Sequence, residues 1–127
     1  MLPVRNRVRT SAEFSRTVRS GVRFGRRNLV LYAAGTQDDE PSRVGFIVSK
    51  SVGNAVTRNL VKRRLRELAR LTIGDQPNGV AVVVRALPPA AEASWHQLSR
   101  DYQRAWEKVG SRLGKINPVR TEKGQEP

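Results

Sequence analysis

The sequence predicts an α+β fold in which helices pack on a small mixed sheet, in the order α-β-β-(β)-α-β-α. Two observations support this fold class. Apolar residues recur with helical spacing in three segments, and short β-branched runs bounded by turn residues lie between those segments. One strand-helix-strand unit also has the length of a crossover connection, so part of the sheet is expected to be parallel. The 127 residues fit one domain.

A basic arm opens the chain over residues 1–9. Its cations occupy alternate positions, at Arg5, Arg7 and Arg9. An Arg-rich start that is nearly free of acids also fits a transit peptide. The helix and strand signals that follow at once favour a folded start instead.

The first helix is expected to begin near Ser11 and to stop at Gly21. Thr10 followed by Glu13 is a capping-box pattern, and glycine is common just after a helix ends. The helix places two apolar residues four positions apart on one face, Phe14 and Val18.

Three strands follow from β-branched runs, and a fourth is optional. Residues 28–34 and 43–49 are predicted to be neighbouring strands joined by the turn-rich loop 35–41. Residues 23–27 provide an additional strand or an edge extension. The run at residues 80–86 contains VAVVV, which is typical of a central strand.

The last helix is predicted from Ser94, which forms a capping box with Gln97, to about Leu113. Its apolar residues keep helical spacing and are expected to cover the sheet: Trp95, Leu98, Tyr102, Ala105 and Val109. Trp106 is placed in the core or at its edge. A single domain over residues 1–113 and a polar, disordered tail over residues 114–127 follow from these assignments.

The most informative stretch is the middle helix with its lead-in, residues 50–70. Asn54 is the expected N-cap and Gly74 the expected C-terminal cap. An apolar stripe suited to a core runs along the helix at Thr57, Val61, Leu65, Leu68 and Thr72. A row of cations at four-residue spacing lies beside it, with two polar neighbours: Arg58, Lys62, Arg66 and Arg70, with Asn59 and Arg63.

The positive charge is confined to two segments. Residues 1–27 carry eight arginines and one acid, residues 50–70 carry seven basic residues and one acid, and the remainder carries nine of each. A solvated basic face is the ordinary explanation of a charge run. Because the charge here is one-sided and acids are few, we favour a polyanion as the partner, and we expect the fold to bring both segments onto one surface.

Candidates for protein-based catalysis are scarce. The chain has no cysteine, and its single histidine, His96, has no evident carboxylate partner in the sequence. The one acidic cluster, Asp38 to Glu40, is better explained as a solvated hairpin loop than as a magnesium site. A stand-alone nuclease that uses this loop is therefore the least favoured of the functions considered.

Aromatic residues are the second informative set. Phe14 and Tyr32 are each favoured as core residues when considered singly. If the first helix packs on the first strand, however, both line one face between the basic segments. Partly exposed aromatics beside a basic groove form a stacking platform for unpaired bases, worth about 1–3 kcal/mol per base.

Residues 53–67, GNAVTRNLVKRRLRE, closely resemble the signature of the bacterial ribonuclease P protein component. Agreement extends to RNRVRTSAEFSRTVRSG, RRNLVLYA, RVGFIVSKSVGNAV and VAVVVRALP, and only the tail is uncovered. The resemblance implies a left-handed β-α-β crossover in place of the usual right-handed one. It also implies a protein that binds the catalytic RNA of a ribonucleoprotein, which removes the 5′ leader of precursor tRNA.

The resemblance implies site residues as well. Contacts to the catalytic RNA are expected from Arg58, Asn59, Lys62, Arg63 and Arg66, with Arg70, Lys50 and Asn54 nearby. A cleft for the single-stranded leader is expected at Phe14, Val18 and Tyr32. Two departures from the family pattern matter. The first is Leu60, which stands where the third residue of an Arg-Asn-Arg triplet belongs and so weakens contacts on the flank near Arg64. Val18 stands where a second cleft aromatic belongs.

The resemblance further implies that Mg²⁺ serves the RNA partner, with no cofactor or metal held by the protein and no catalytic group in the chain. A protein monomeric within the complex is expected. A cytoplasmic location fits the lack of cysteine, and no apolar run approaches the roughly 18 residues of a membrane span. The alternative function is a general RNA-binding or ribosome-associated module, which the charge alone would equally explain.

Overall fold

The computed structural model describes residues 2–114, and they form an α+β domain of three α-helices and four strands. The elements are α1 (Ser11–Ser20), β1 (Val22–Gly25), β2 (Leu29–Gly35), β3 (Arg43–Ile47), α2 (Ala55–Asp75), β4 (Val80–Ala86) and α3 (Trp95–Leu113). The predicted fold class and element order are confirmed, and the optional strand is present as β1. The tail predicted to be disordered lies outside the described residues, apart from Gly114.

The sheet has the order β1-β2-β4-β3. β2 pairs antiparallel with β1 and with β4, while β3 pairs parallel with β4, so the predicted partly parallel sheet is confirmed. The prediction that β2 and β3 are neighbours is wrong, because β4 lies between them. Five consecutive residues of β4 are buried, and a strand covered on both faces is most stable with a partner on each edge.

The acidic loop therefore crosses the end of β4 and is not a hairpin. Its backbone is held by the loop before β4, where Ser42 N–H donates to Pro77 O over 2.8 Å and Gly79 N–H donates to Glu40 O over 2.8 Å. The connection from β3 through α2 to β4 is the predicted crossover. Its handedness stays a prediction.

The two faces of the sheet are covered unequally. The main core lies between one face and helices α2 and α3, with Leu65, Leu98 and Tyr102 fully buried. α1 covers the opposite face through a smaller cluster built on Val30, Tyr32 and Val83.

Helix termini follow local chemistry in most places. Ser94 and Gln97 form the complete capping box of α3. At α1 the Thr10 hydroxyl accepts from Glu13 N–H over 3.1 Å, but the Glu13 carboxylate accepts from Arg43 of β3 instead of closing the box. That contact ties α1 to the sheet.

Two predictions about helix residues are wrong. Gly74 does not end α2, which continues to Asp75, where the carboxylate accepts from Trp106 Nε1 over 2.9 Å and joins the helix to α3. Trp95 does not cover the sheet and is 43% exposed, because α3 first meets the core one turn later at Leu98. Trp106 is buried in the core rather than at its edge.

Candidate RNA-binding site

α2 presents its cations on the side that its core residues leave open. Its buried stripe is Val61, Leu65, Leu68, Ala69 and Thr72. Beside it Arg58, Lys62 and Arg66 are half-buried, while Asn59, Arg63 and Arg70 are exposed. The predicted row of cations is therefore at the surface of α2, and the buried stripe of the same helix anchors it to the core.

The start of α2 is shaped by its cap. Asn54 Oδ1 accepts from Thr57 N–H over 2.9 Å, which confirms Asn54 as the N-cap. Gly53 adopts φ 155°, and a Cβ there would lie 3.0 Å from the Thr57 side chain. Lys50 is exposed in the turn that leads in. Within the described chain, Arg58 Nε is buried without a hydrogen-bond partner.

The N-terminal arm is fixed against the free edge of β3. Leu2 is 3% exposed and belongs to the main core. Val8 N–H donates to Val44 O over 3.2 Å, and Asn6 Nδ2 donates to Ser42 O over 2.7 Å. The arm is thus part of the fold, and the positions of its cations are set by the sheet.

The arm and α2 meet in a groove of about 330 Å³. Cations from both segments line it, namely Arg7 from the arm and Lys62 and Arg66 from α2, and the Phe14 side chain is part of its wall. The predicted convergence of the two basic segments is confirmed for these residues. It does not extend to the whole first segment, because Arg26 pairs instead with Asp101 of α3. Arg5 and Arg9 are exposed on the arm.

The cleft aromatics differ from the expectation in one respect. Phe14 and Val18 of α1 are half-buried and pack on Tyr32, so the three predicted residues come together. Tyr32, however, is only 6% exposed, which agrees with the core role favoured for it when considered singly. The conditional expectation of a partly exposed ring is not met for Tyr32. α1 covers the cluster from above, and two arginines that the sequence analysis missed lie beside the ring.

Those arginines are Arg23 of β1 and Arg85 of β4. Their guanidinium carbons lie 5.8 Å and 5.7 Å from the Tyr32 ring centroid. The sequence carries no direct signal for this arrangement, since it depends on the register of strands distant along the chain. Only a reader who already knew the pairing of β2 with β1 and with β4 could have placed the two arginines beside Tyr32.

Groups suited to protein catalysis are not gathered in the part of the chain that the structure describes. Within residues 2–114 no three His, Cys, Asp or Glu side chains lie close enough to hold a metal ion. His96 contacts Arg100 on the same helix at 3.0 Å.

Burial raises the pKa of Tyr102, whose hydroxyl shares a 2.7 Å hydrogen bond with Thr72 in the core. No helix among the described residues is long and apolar enough to cross a membrane.

Comparison with known families decides the assignment. The family model described as Ribonuclease P matches residues 2–110. The chain belongs to the ribonuclease P protein family. It is accordingly a protein subunit of a ribonucleoprotein endoribonuclease that matures the 5′ end of tRNA, and in that enzyme the RNA carries the catalysis.

Relatives and solved structures agree with membership in the ribonuclease P family. The chain is 65% identical over 114 residues to the ribonuclease P protein component of Arthrobacter sp. (strain FB24), covering 90% of this chain and 84% of that protein. The RNase P protein of Staphylococcus aureus has a TM-score of 0.73 at 27% identity, covering 88% and 98% of the two chains. The protein from Thermotoga maritima has a TM-score of 0.68 at 25% identity, covering 79% and 94%.

Proposed function

We propose that this chain binds the catalytic RNA of ribonuclease P through the basic face of α2 and the adjoining arm, and that it holds the 5′ leader of precursor tRNA beside α1. The observation that carries the proposal is the groove in which Arg7 meets Lys62 and Arg66 next to Phe14. Two segments distant along the chain supply cations to one place, and an aromatic side chain borders it.

The energetics of α2 favour an anionic partner. Like-charged residues four apart on a helix cost about 0.2–0.5 kcal/mol per pair. Glu67 offsets part of this cost by pairing with Arg70 over 2.8 Å, but both side chains are more than half exposed and the pair contributes little. RNA phosphates would neutralise the other cations and release counterions, so binding is expected to be strongly salt-dependent.

The RNA-contacting face is expected to be one-sided. On the flank where Leu60 replaces a cation, Arg64 donates to Ala93 O over 3.1 Å and thereby ties α2 to the segment before α3. Arg64 is therefore assigned to the fold. Contacts to the catalytic RNA are assigned to Arg58, Asn59, Lys62, Arg63 and Arg66, with Arg70, Lys50 and Asn54 at the margin.

The leader is assigned to the cleft between α1 and the sheet, at Phe14, Val18 and Tyr32. Phe14 and Val18 remain partly accessible there.

By lowering the repulsion between phosphates, the protein would let the RNA fold and hold its Mg²⁺ at lower salt. We further propose that precursor tRNA is the substrate contacted, that the protein is monomeric within the complex, and that it acts in the cytoplasm.

The test is reconstitution with the catalytic RNA at low Mg²⁺, with affinity and cleavage measured for precursor tRNA and affinity alone for mature tRNA. Adding the protein is expected to increase affinity for the precursor much more than for the mature form, because only the precursor carries a leader. An equal increase for both would refute the leader assignment. No effect on either would refute RNA binding by the α2 face.

A second candidate function is binding of RNAs other than precursor tRNA. A solved Staphylococcus aureus relative, 26% identical with a TM-score of 0.72, is described as an RNase P protein mutant with defective mRNA degradation activity. A cationic face that reads phosphates would accept several structured RNAs. Similar affinity for unrelated structured RNAs at matched salt would favour this candidate over a dedicated subunit.

A further inference from the structure

Tyr32 is held between two arginines by the register of the sheet. Arg23 of β1 lies directly opposite Tyr32, and Arg85 of β4 lies two residues from its partner Val83, on the diagonal. β2 is between β1 and β4, so the two arginines approach the ring from opposite sides. Both guanidinium carbons lie within 6 Å of the ring centroid, which is cation-π distance.

Neither arginine has its charge balanced within the structure. Both side chains are exposed, and in residues 2–114 neither forms an ion pair with a carboxylate. A guanidinium at cation-π distance from a ring still has N–H groups for other partners, and its planar fork of N–H donors matches the oxygen atoms of a phosphate. The cation-π contacts with Tyr32 also restrict the side chains before any ligand arrives, which lowers the ordering cost of binding.

The geometry points to Arg23 and Arg85 as a pre-organised pair of phosphate ligands on the face of the sheet that α1 covers, where both side chains reach solvent. This inference rests on the proposed leader cleft and specifies its chemistry. With its ring 6% exposed and flanked by guanidinium groups, Tyr32 positions the arginines and offers no free face for a base. The leader is held here by its backbone, so recognition at this point tolerates any leader sequence and weakens as salt rises.

The experiment compares three chemically altered leaders on the reconstituted holoenzyme. A natural leader has bases and charged phosphates, a leader of abasic residues has only the phosphates, and a leader with methylphosphonate linkages has only the bases. The abasic leader is expected to keep its affinity advantage over mature tRNA, and the methylphosphonate leader is expected to lose it. The opposite pattern would overturn the inference while leaving leader binding intact.

Protein variants assign the effect to the two side chains. Arg23→Gln and Arg85→Gln are each expected to lower the salt slope for precursor tRNA by about 0.7 and to leave the slope for mature tRNA unchanged. Affinity loss between 50 and 200 mM salt then becomes about threefold smaller per arginine. Arg104→Gln, an exposed residue of α3, is the matched control and should change neither slope.

The outcomes separate this inference from the proposed function. If the wild-type protein shows no preference for the natural precursor over mature tRNA, leader binding itself fails, and the inference fails with it. If the preference is present and both arginine variants keep the wild-type slope, only the inference is overturned. Circular dichroism of each variant checks folding, and the leader series tests the chemistry on unaltered protein.

Discussion

Gly45 of β3 is predicted to be intolerant of even one added methyl group. A Cβ at this position would lie 2.6 Å from Phe14 Cζ, 2.7 Å from Phe14 Cε1 and 2.8 Å from Val8 Cβ. Carbon atoms in favourable contact are about 3.5–4.0 Å apart, so Gly45→Ala must displace the α1 ring or the arm by about 1 Å. Both neighbours belong to the candidate site.

The magnitude follows from two opposing terms. Overpacking of a tight contact costs about 1–3 kcal/mol, and the lower backbone entropy of alanine offsets roughly 0.5–1 kcal/mol of that. The net expectation is a loss of about 0.5–2 kcal/mol in the free energy of unfolding. Gly74→Ala is the matched control, because nothing lies within 4 Å of that Cβ inside α2, and it should stabilise by about 0.5–1 kcal/mol.

Urea denaturation followed by circular dichroism measures both variants. The double variant Gly45→Ala with Phe14→Leu removes the ring atoms that clash, and its loss should be smaller than the sum of the single losses by about 0.5–2 kcal/mol. The reasoning is refuted if Gly45→Ala leaves the free energy of unfolding unchanged. It is also refuted if the two single effects simply add, since the ring would then not be the neighbour that is displaced.

Three further predictions concern buried polar groups and the basic row. Asp101→Ala should lower the free energy of unfolding in urea by about 2–4 kcal/mol. The buried carboxylate accepts 3.0 Å hydrogen bonds from both the backbone and the side-chain N–H groups of Asn28. A loss below about 1 kcal/mol would contradict this. Arg66→Ala should flatten the slope of log binding constant against log salt concentration for the catalytic RNA by about 0.9, whereas the α3 control Arg104→Ala should leave the slope unchanged. Equal slopes for the Arg66→Ala variant and the wild type would show that Arg66 does not touch phosphate. Since burial raises the folded-state pKa of Tyr102 above its unfolded value near 10, the folded state retains the proton that the unfolded state loses. Stability should therefore fall by up to about 1.4 kcal/mol per pH unit above pH 10, and Tyr102→Phe should fall less steeply in the same urea series.

The parts of the fold predicted correctly are those set by local sequence. The cap residues Asn54 and Ser94 act through hydrogen bonds to amides three residues away, so their role depends on nothing distant. The stripe on α2 repeats with the period of a helix, and its Val61, Leu65 and Leu68 are buried as expected. Gly74 shows the limit of such rules, because the contact of Asp75 with Trp106 of another helix extends α2 past it.

The candidate site was predicted in its charge and only partly in its geometry. Arg7, Lys62 and Arg66 line one groove as expected for converging basic segments. The choice between a buried and a partly exposed Tyr32 could not be made from the sequence, because the residues that flank its ring come from strands β1 and β4, whose pairing with β2 has no short-range signature.

By itself, the sequence determined which segments form helices and strands, which helix face is cationic and which family the chain resembles, since each of these depends on residue type and near-neighbour spacing. Tertiary structure alone decided that β4 separates β2 from β3, that the arm lies along the edge of β3, and that arginines flank Tyr32. The physical reason is that strand order and register arise from burial summed over residues far apart in the chain, and no local pattern encodes that sum.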